Sequence, residues 1–290
     1  MRSLLFVPAD SERKLAKGFA CEADVIVVDL EDSVALAKKE AARATAASFI
    51  KSERHNTRAR VFVRVNDLST GLTGADLAAI VKSAPDGIML PKSNSGQDVQ
   101  QLSSMLRVQE AENGIEDGKT RILPLITETP AGVFTGGTYA GCSARLAGLT
   151  WGAEDLSAAL GARTARDGDG RYTDAFRLAR AVTLIAAAAA DVPAVDTVFP
   201  NFRDMAAFEA ECIIAERDGF TAKMAIHPDQ VPIINAAFTP SAEAVEHARA
   251  IIDAFAAAGN PGVVAVDGKM YDRPHLRLAE RLLARVDMRR

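Results

Sequence analysis

Eight short apolar segments alternate with helix-like segments along most of the 290-residue chain, and this alternation limits the possible folds most strongly. The apolar segments span residues 3–7, 24–30, 60–66, 86–91, 121–126, 145–151, 194–199 and 222–227. Their length and their Val, Ile and Leu content predict strands, and stretches such as 34–52 and 96–112 between them predict helices. Strands separated by helices form a parallel sheet, and nearly continuous apolar strands indicate burial on both faces.

Eight such units close most simply into an α/β structure of the (β/α)8 TIM barrel type, which we predict for residues 1–238. An open doubly wound sheet is the alternative, and the lack of a glycine-rich phosphate loop after the first strand disfavours it. From residue 239 the pattern changes to a helix capped by Ser241 and ended by Gly259, then a short apolar stretch and a final helix over 274–288. We therefore expect residues 239–290 to form a C-terminal helical lid extension.

Composition excludes several classes of partner and location. The 34 basic and 38 acidic side chains give a net charge of −4, so no basic excess indicates a nucleic-acid partner. Three widely spaced cysteines without a C-x-x-C motif predict neither a disulfide framework nor a zinc knuckle, and they fit a reducing compartment. The apolar start of the chain is too short for a signal peptide or a membrane span. We expect a cytoplasmic protein without a membrane partner.

Polar side chains end nearly every predicted strand, at the place where barrel enzymes carry their reacting groups. Glu128 and Asp155 follow neighbouring strands, so closure of the barrel would bring them close together. Oxygen ligands without cysteines suit a hard cation such as Mg²⁺, with waters and substrate filling the other positions. The alternative is that each acid caps the helix that follows it.

Arg64 lies in an apolar strand and must have an anionic partner. Its guanidinium could hold a substrate carboxylate in bidentate fashion, or it could pair with Asp29 or Glu31. His227 at the last strand end is interpreted as structural, and residues 167–174 as a loop at the barrel mouth rather than a calcium site, because they lack the EF-hand spacing.

Eight stretches, in order over nearly the whole chain, resemble the citrate lyase beta-subunit-like family, which includes malyl-CoA, citramalyl-CoA and related acyl-CoA lyases. The stretches are RSLLFVPADSERKLAK, VDLEDSVALAKKEAAR, VRVN, LPK, LPLITETPAGVF, GAEDLSAALGA, GFTAKMAIHPDQV and VDGKMYDRPHLRLAERLLA. One departure is visible, because many members read PLIET where this chain reads PLITET. The additional residue leads us to expect a bulge before Glu128.

The resemblance implies a barrel with a C-terminal extension, assembled as a homotrimer or homohexamer. It also implies Mg²⁺ as the cofactor, held by Glu128 and Asp155, and Arg64 as the group that binds the substrate carboxylate. Asp272 would act as acid and base across a subunit interface. The remaining implied site residues are Glu31 and Asp32 behind the metal ligands, Gly152 and Ala153 with Glu128 as substrate contacts, and Lys14 near the phosphates of CoA.

These parts predict a Mg²⁺-dependent carbon–carbon lyase of the aldol or Claisen type. It would cleave or form a β-hydroxyacyl-CoA, such as malyl-CoA or citramalyl-CoA, from an acyl-CoA and a 2-oxo acid. The alternatives are a malyl-CoA thioesterase, a citrate lyase beta subunit acting on a carrier-bound citryl group, and a 2-oxo acid aldolase that uses no CoA. The Asp272 segment disfavours the carrier-dependent subunit, and a metal site with an arginine and an acid disfavours a non-catalytic binding protein.

Overall fold

The computed structural model describes residues 1–287, and the chain divides into two compact units. The first unit is Met1–Phe238, and the second begins at Thr239. The strands of the first unit are β1 Ser3–Pro8, β2 Val25–Asp29, β3 Arg60–Arg64, β4 Gly87–Leu90, β5 Arg121–Pro124, β6 Leu149–Thr150, β7 Ala194–Asp196 and β8 Ala222–Ala225. Its α-helices are α1 Glu12–Phe19, α2 Lys39–Glu53, α3 Thr73–Ile80, α4 Gly96–Glu112, α5 Pro130–Phe134, α6 Ala153–Leu160, α7 Asp174–Ala189, α8 Met205–Asp218 and α9 Gln230–Ala237. Over residues 1–287, no helix is both long and apolar enough to cross a membrane.

The eight strands form one parallel sheet that closes on itself. Their order is β5-β4-β3-β2-β1-β8-β7-β6. Two isolated parallel bridges, Ile122 with Leu146 and Leu125 with Thr150, join the outer strands β5 and β6 and complete the ring. The predicted (β/α)8 barrel is therefore confirmed, and the alternative of an open sheet is wrong.

Side chains from the strands fill the space on both faces of the sheet. Val25 and Val27 on β2 pack inside the barrel together with Phe62 and Met89 from the next two strands. Ile26 on the same strand belongs to the larger cluster between strands and helices. Apolar residues at both alternating positions explain why the strands appear as continuous apolar runs in the sequence.

Strand β6 is much shorter than the predicted 145–151 segment, because its pairing with β5 changes register. Three steps along the chain separate Ile122 from Leu125, whereas four steps separate their partners, Leu146 and Thr150. The pairing of β4 with β5 stays regular throughout. The extra residue thus lies on the β6 side, within residues 147–149, and the bulge expected before Glu128 stays a prediction.

The second unit combines two helices with a hairpin. Its elements are α10 Ala242–Ala257, β9 Val263–Val266, β10 Lys269–Asp272 and α11 Arg273–Asp287. The hairpin turns at Asp267 and Gly268, both with positive φ, as a two-residue turn of this kind requires. The final helix was predicted over 274–288, and residue 288 lies outside the described residues. A lid role for this unit stays a prediction.

Candidate active site

Arg64 ends β3 and lies among carboxylates at the carboxyl ends of the strands. Its Nε and Nη2 each donate to one oxygen of Asp29 at 2.7 Å, which is a bidentate pair. Its Nη1 lies 2.8 Å from Glu31 Oε2 and forms an ion pair with it, without a hydrogen bond between the two atoms. The guanidinium also lies over the ring of Phe6, 4.9 Å from its centre. The structure therefore contains the protein-internal pairing that we considered as the alternative for Arg64.

Lys92, just after β4, connects several of these acids. Its backbone has a left-handed φ of 51°. The ammonium forms an ion pair with Glu31 and lies 3.5 Å from Asp155 and 3.6 Å from Asp32. Its backbone N–H donates to Glu128 Oε2 at 2.7 Å. Lys92 is the last residue of the LPK stretch, and the sequence alone assigns it no role, although the number of acids at the strand ends already required cations near them.

Glu128 is almost completely buried and does not cap the helix that follows it. That position belongs to Thr129, whose side chain accepts a hydrogen bond from the backbone N–H of Gly132 at the start of α5. The carboxylate instead packs against Gly152, where a Cβ would lie only 2.8 Å from Oε1. Burial raises the pKa of Glu128 to about 8, and the nearby Asp155 and Glu31 add to this effect.

Asp155 lies in the first turn of α6, after Gly152 and Ala153. Gly152 is the residue that precedes the helix, and no side chain of residues 1–287 caps the first N–H groups. Neither Glu128 nor Asp155 is thus an N-capping residue. The free N–H groups at the start of α6 can receive an anion, as helix N-termini do.

We call the five carboxylates around Lys92 and Arg64 the acidic cluster. Its members are Asp29, Glu31, Asp32, Glu128 and Asp155. Two cations contact them directly, and Lys39 behind them donates to the carbonyl oxygens of Leu30 and Glu31. Burial raises the pKa of Glu31 to about 7 even though Arg64 and Lys92 oppose this shift. The five carboxylates of the acidic cluster outnumber the cations in contact with them, so the cluster needs a further cation to be fully ionised.

A metal ion bound here would take few protein ligands. Within residues 1–287, no group of three or more His, Cys, Asp and Glu side chains is arranged to hold a metal. Two carboxylates with waters and substrate oxygens form an arrangement that suits Mg²⁺.

The remaining predicted residues lie on α1, at the end of β10 in the second unit and just after β8. Lys14 is exposed on α1, and its backbone N–H donates to the hydroxyl of Ser11. Asp272 ends β10 in the second unit, half exposed, with its Oδ1 2.6 Å from His275 Nδ1. That hydrogen bond lowers the pKa of Asp272. His227 stacks on Phe202 with 5.0 Å between ring centres, and its structural interpretation stays a prediction.

Comparison with known protein families shows to which family this chain belongs. Residues 2–228 match the family described as HpcH/HpaI aldolase/citrate lyase. The chain belongs to this family. Aldolases and citrate lyase break carbon–carbon bonds, so the predicted class of carbon–carbon lyase is confirmed together with the resemblance.

Members of the HpcH/HpaI aldolase/citrate lyase family resemble the chain over its full length. Citrate lyase subunit beta of Escherichia coli K12 is 34% identical over 290 residues, which cover 99% of this chain and 93% of that protein. A (3S)-malyl-CoA thioesterase of Cereibacter sphaeroides is 33% identical, with 99% and 94% covered. The crystal structure of CitE from Mycobacterium tuberculosis with magnesium, acetoacetate and coenzyme A matches with a TM-score of 0.76 and 32% identity, covering 99% of this chain and 98% of that one.

Proposed function

We propose that this protein is a Mg²⁺-dependent lyase that cleaves or forms a β-hydroxyacyl-CoA, of the malyl-CoA or citramalyl-CoA class, from an acyl-CoA and a 2-oxo acid. The observation that carries the proposal is the excess of carboxylates over contacting cations in the acidic cluster around Glu128 and Asp155, where burial and the nearby acids raise the pKa of Glu128. The crystal structure of the Mycobacterium tuberculosis relative contains magnesium, acetoacetate and coenzyme A, which supports a metal, an oxo acid and CoA as the kinds of ligand bound.

Glu128 and Asp155 fit a hard divalent cation. Both are carboxylates, they come from neighbouring strands, and the missing side chain of Gly152 lets the Glu128 carboxylate lie directly against the turn that starts α6. Mg²⁺ bound there supplies a Lewis acid that stabilises negative charge on an oxygen of the 2-oxo acid. Glu31 and Asp32 lie behind these ligands and keep Lys92 and Arg64 in place.

Two groups of the chain would orient the 2-oxo acid. The free N–H groups of α6, including that of Ala153, can bind a carboxylate. Arg64 would contribute Nη1, because Asp29 already occupies Nε and Nη2. Glu31 competes for Nη1, and its raised pKa means that it gives up its negative charge more easily than an ordinary carboxyl group. Because Asp29 already holds the guanidinium in one orientation, Arg64 can bind the 2-oxo acid and orient its reacting carbon without losing further side-chain freedom.

Asp272 would move the proton at the acyl-CoA carbon. Its hydrogen bond to His275 lowers its pKa, so it is ionised at neutral pH and starts as a base. Following the family resemblance, we propose that the unit beginning at Thr239 acts as a lid in a homotrimer or homohexamer and supplies Asp272 to a neighbouring subunit. Lys14 would then meet the phosphates of CoA.

A panel of acyl-CoAs tested against glyoxylate, pyruvate and oxaloacetate with MgCl₂, with products identified by mass, tests the reaction. The lyase forms or cleaves a hydroxyacyl-CoA, whereas a thioesterase releases free CoA and a hydroxy acid. The thioesterase is the second candidate because one relative of similar identity carries that name. Release of free CoA from malyl-CoA, without any acyl-CoA product, would favour it over the lyase.

Glu128→Gln and Asp155→Asn should each abolish Mg²⁺-dependent turnover while the protein stays folded, because each removes a charged oxygen ligand. Glu154→Gln is the matched control, since Glu154 is exposed in the same helical turn and has no ion pair within the described residues. Full activity of either ligand variant in the presence of a chelator would show that the metal site is wrong.

A further inference from the structure

Trp151 is the single tryptophan of the chain, and it directly precedes Gly152. Its side chain is fully buried between the sheet and the helices. The indole Nε1–H donates to Asp196 Oδ1 at 2.8 Å, and the ring meets Tyr172 edge-on with 5.0 Å between centres. A hydrogen bond and a ring contact therefore hold the indole in one orientation.

Asp196 is itself held by a buried ion pair. Lys223 on the neighbouring strand donates to Asp196 Oδ2 at 2.7 Å and to Glu211 Oε1 at 2.8 Å. Arg180 Nε lies 3.5 Å from Asp196 Oδ1. Burial acts to raise the pKa of Asp196, but Lys223 and Arg180 outweigh it and lower this pKa. Asp196 therefore remains a charged acceptor for the indole N–H.

The need to stabilise the fold does not by itself explain the hydrogen bond from Trp151 to Asp196 and the buried ion pair between Asp196 and Lys223. Buried ion pairs lose much of their hydration, and well-packed apolar side chains often stabilise a protein equally well. A buried tryptophan needs a partner for its N–H, whereas a phenylalanine in its place needs none. What the indole and the ion pair provide together is a fixed direction for the chain at the end of β6.

That direction matters because the next residue lies against Glu128. A Cβ on Gly152 would approach Glu128 Oε1 to 2.8 Å, so the backbone of the turn and the carboxylate already lie close together. The same turn starts α6, which carries Asp155. A rotation at Trp151 would move Gly152 and Asp155 relative to Glu128.

We propose that Asp196, held by Lys223, is a positioning residue that fixes the turn between β6 and α6 through the indole of Trp151. Asp196 does not touch the reacting atoms in this scheme. The proposal rests on the proposed function, in which this turn carries a metal ligand and receives the 2-oxo acid.

Trp151→Phe removes the N–H donor and keeps an aromatic ring. In the metal-free protein, backbone amide exchange should become at least about tenfold faster in a peptide covering 149–158. The dissociation constant for Mg²⁺, measured by calorimetry, should rise roughly 10- to 100-fold, the range typical when a partner behind a metal ligand is lost. Phe208→Leu is the matched control, because it loosens packing beside Lys223 and leaves the indole bond intact. It should lower the melting temperature without changing exchange in 149–158.

Unchanged exchange in 149–158 of Trp151→Phe would overturn the proposal, as would equally faster exchange in Phe208→Leu. The wild-type protein offers a check that needs no variant, since its one indole N–H gives one proton resonance. We expect that signal to exchange slowly with solvent, and rapid exchange would also overturn the proposal. If the wild-type protein binds no Mg²⁺, the proposed function fails, and the exchange data still decide whether Asp196 positions the turn.

Discussion

Replacing Gly152 with alanine should damage the proposed metal site by steric displacement alone. The added Cβ would lie 2.8 Å from Oε1, 2.9 Å from Cγ and 3.2 Å from Cδ of Glu128. The backbone of Gly152 has φ −133° and ψ 131°, which alanine adopts without strain. The perturbation thus acts on Glu128 and not on the conformation of the turn.

The size of the effect follows from these distances. Carbon atoms prefer separations of about 3.5–4.0 Å, so Cγ of Glu128 must withdraw by about 0.6 Å or more. The carboxylate has little freedom to do so, because it is buried and Lys92 N–H holds Oε2 at 2.7 Å. A displacement of about 1 Å in a site can reduce the rate about 100-fold. We expect kcat/KM to fall roughly 10- to 100-fold, equivalent to about 1.4–2.7 kcal/mol of transition-state stabilisation.

The assay measures the rate of β-hydroxyacyl-CoA cleavage at a series of Mg²⁺ concentrations, with thermal unfolding measured in parallel. Gly137→Ala is the matched control, because a Cβ there meets no atom within 4 Å and the residue has no positive φ. Combining Gly152→Ala with Glu128→Asp shortens the displaced side chain by one methylene. The double variant should recover part of the activity that Gly152→Ala loses.

The reasoning is refuted if Gly152→Ala keeps the kcat/KM and the Mg²⁺ dependence of the wild-type protein. A loss of activity that matches a loss of folded protein would also refute it, because the steric argument predicts an intact barrel. Overpacking costs about 1–3 kcal/mol in a well-packed site, so a modest fall in melting temperature is compatible with the prediction.

Arg64→Lys keeps the charge but loses the fork that holds Asp29, and KM for the 2-oxo acid should rise about tenfold or more while KM for the acyl-CoA changes little. An equal rise of both, with a lower melting temperature, would assign Arg64 a structural role only. Glu110 is buried, but Arg145 and backbone N–H groups outweigh the effect of burial and lower its pKa to about 2. Its ion pair should therefore add up to about 3 kcal/mol to the free energy of unfolding above pH 4.5, and this contribution should disappear as the pH falls towards 2. Urea unfolding of the wild type and Glu110→Gln should therefore converge over this pH range, and a constant difference would contradict the assignment. Asp272→Asn and Glu128→Gln should each be inactive alone and regain part of the activity when co-refolded, whereas inactive mixed oligomers would show that Asp272 does not serve a neighbouring subunit's site.

The barrel could be predicted because its signal repeats. Apolar residues at both alternating positions of β2, such as Ile26 and Val27, are required by a sheet buried on both faces. Placing Glu128 next to Asp155 needed only the rule that neighbouring strands end at one face. The short β6 could not be predicted in the same way, because a register change depends on how two strands meet in space and the segment 145–151 stays apolar throughout.

The sequence also could not predict which charged side chains of the site pair with one another. Arg64 had several possible anionic partners, and only the folded geometry shows that Asp29 takes two of its nitrogens and Glu31 lies beside the third. Lys92 contacts Glu31 and Glu128 because its backbone turns into a left-handed conformation, which LPK does not reveal. The sequence supplied the charges of the site, and closure of the barrel decided how they pair.

Only isolated bridges join β5 to β6 within the described residues, whereas every other neighbouring pair of strands in the ring forms a continuous ladder. Glu128 follows one of these strands and Asp155 follows the other. A cation bound by both carboxylates would link β5 to β6 across this junction, which we call the seam, and would oppose separation of the two strands. At a concentration 100 times its dissociation constant, a ligand that binds only the folded state adds about 2.7 kcal/mol of stability. Mg²⁺ should therefore slow hydrogen exchange most in the strands beside this seam. The ion of the proposed reaction would then also stabilise the closed barrel.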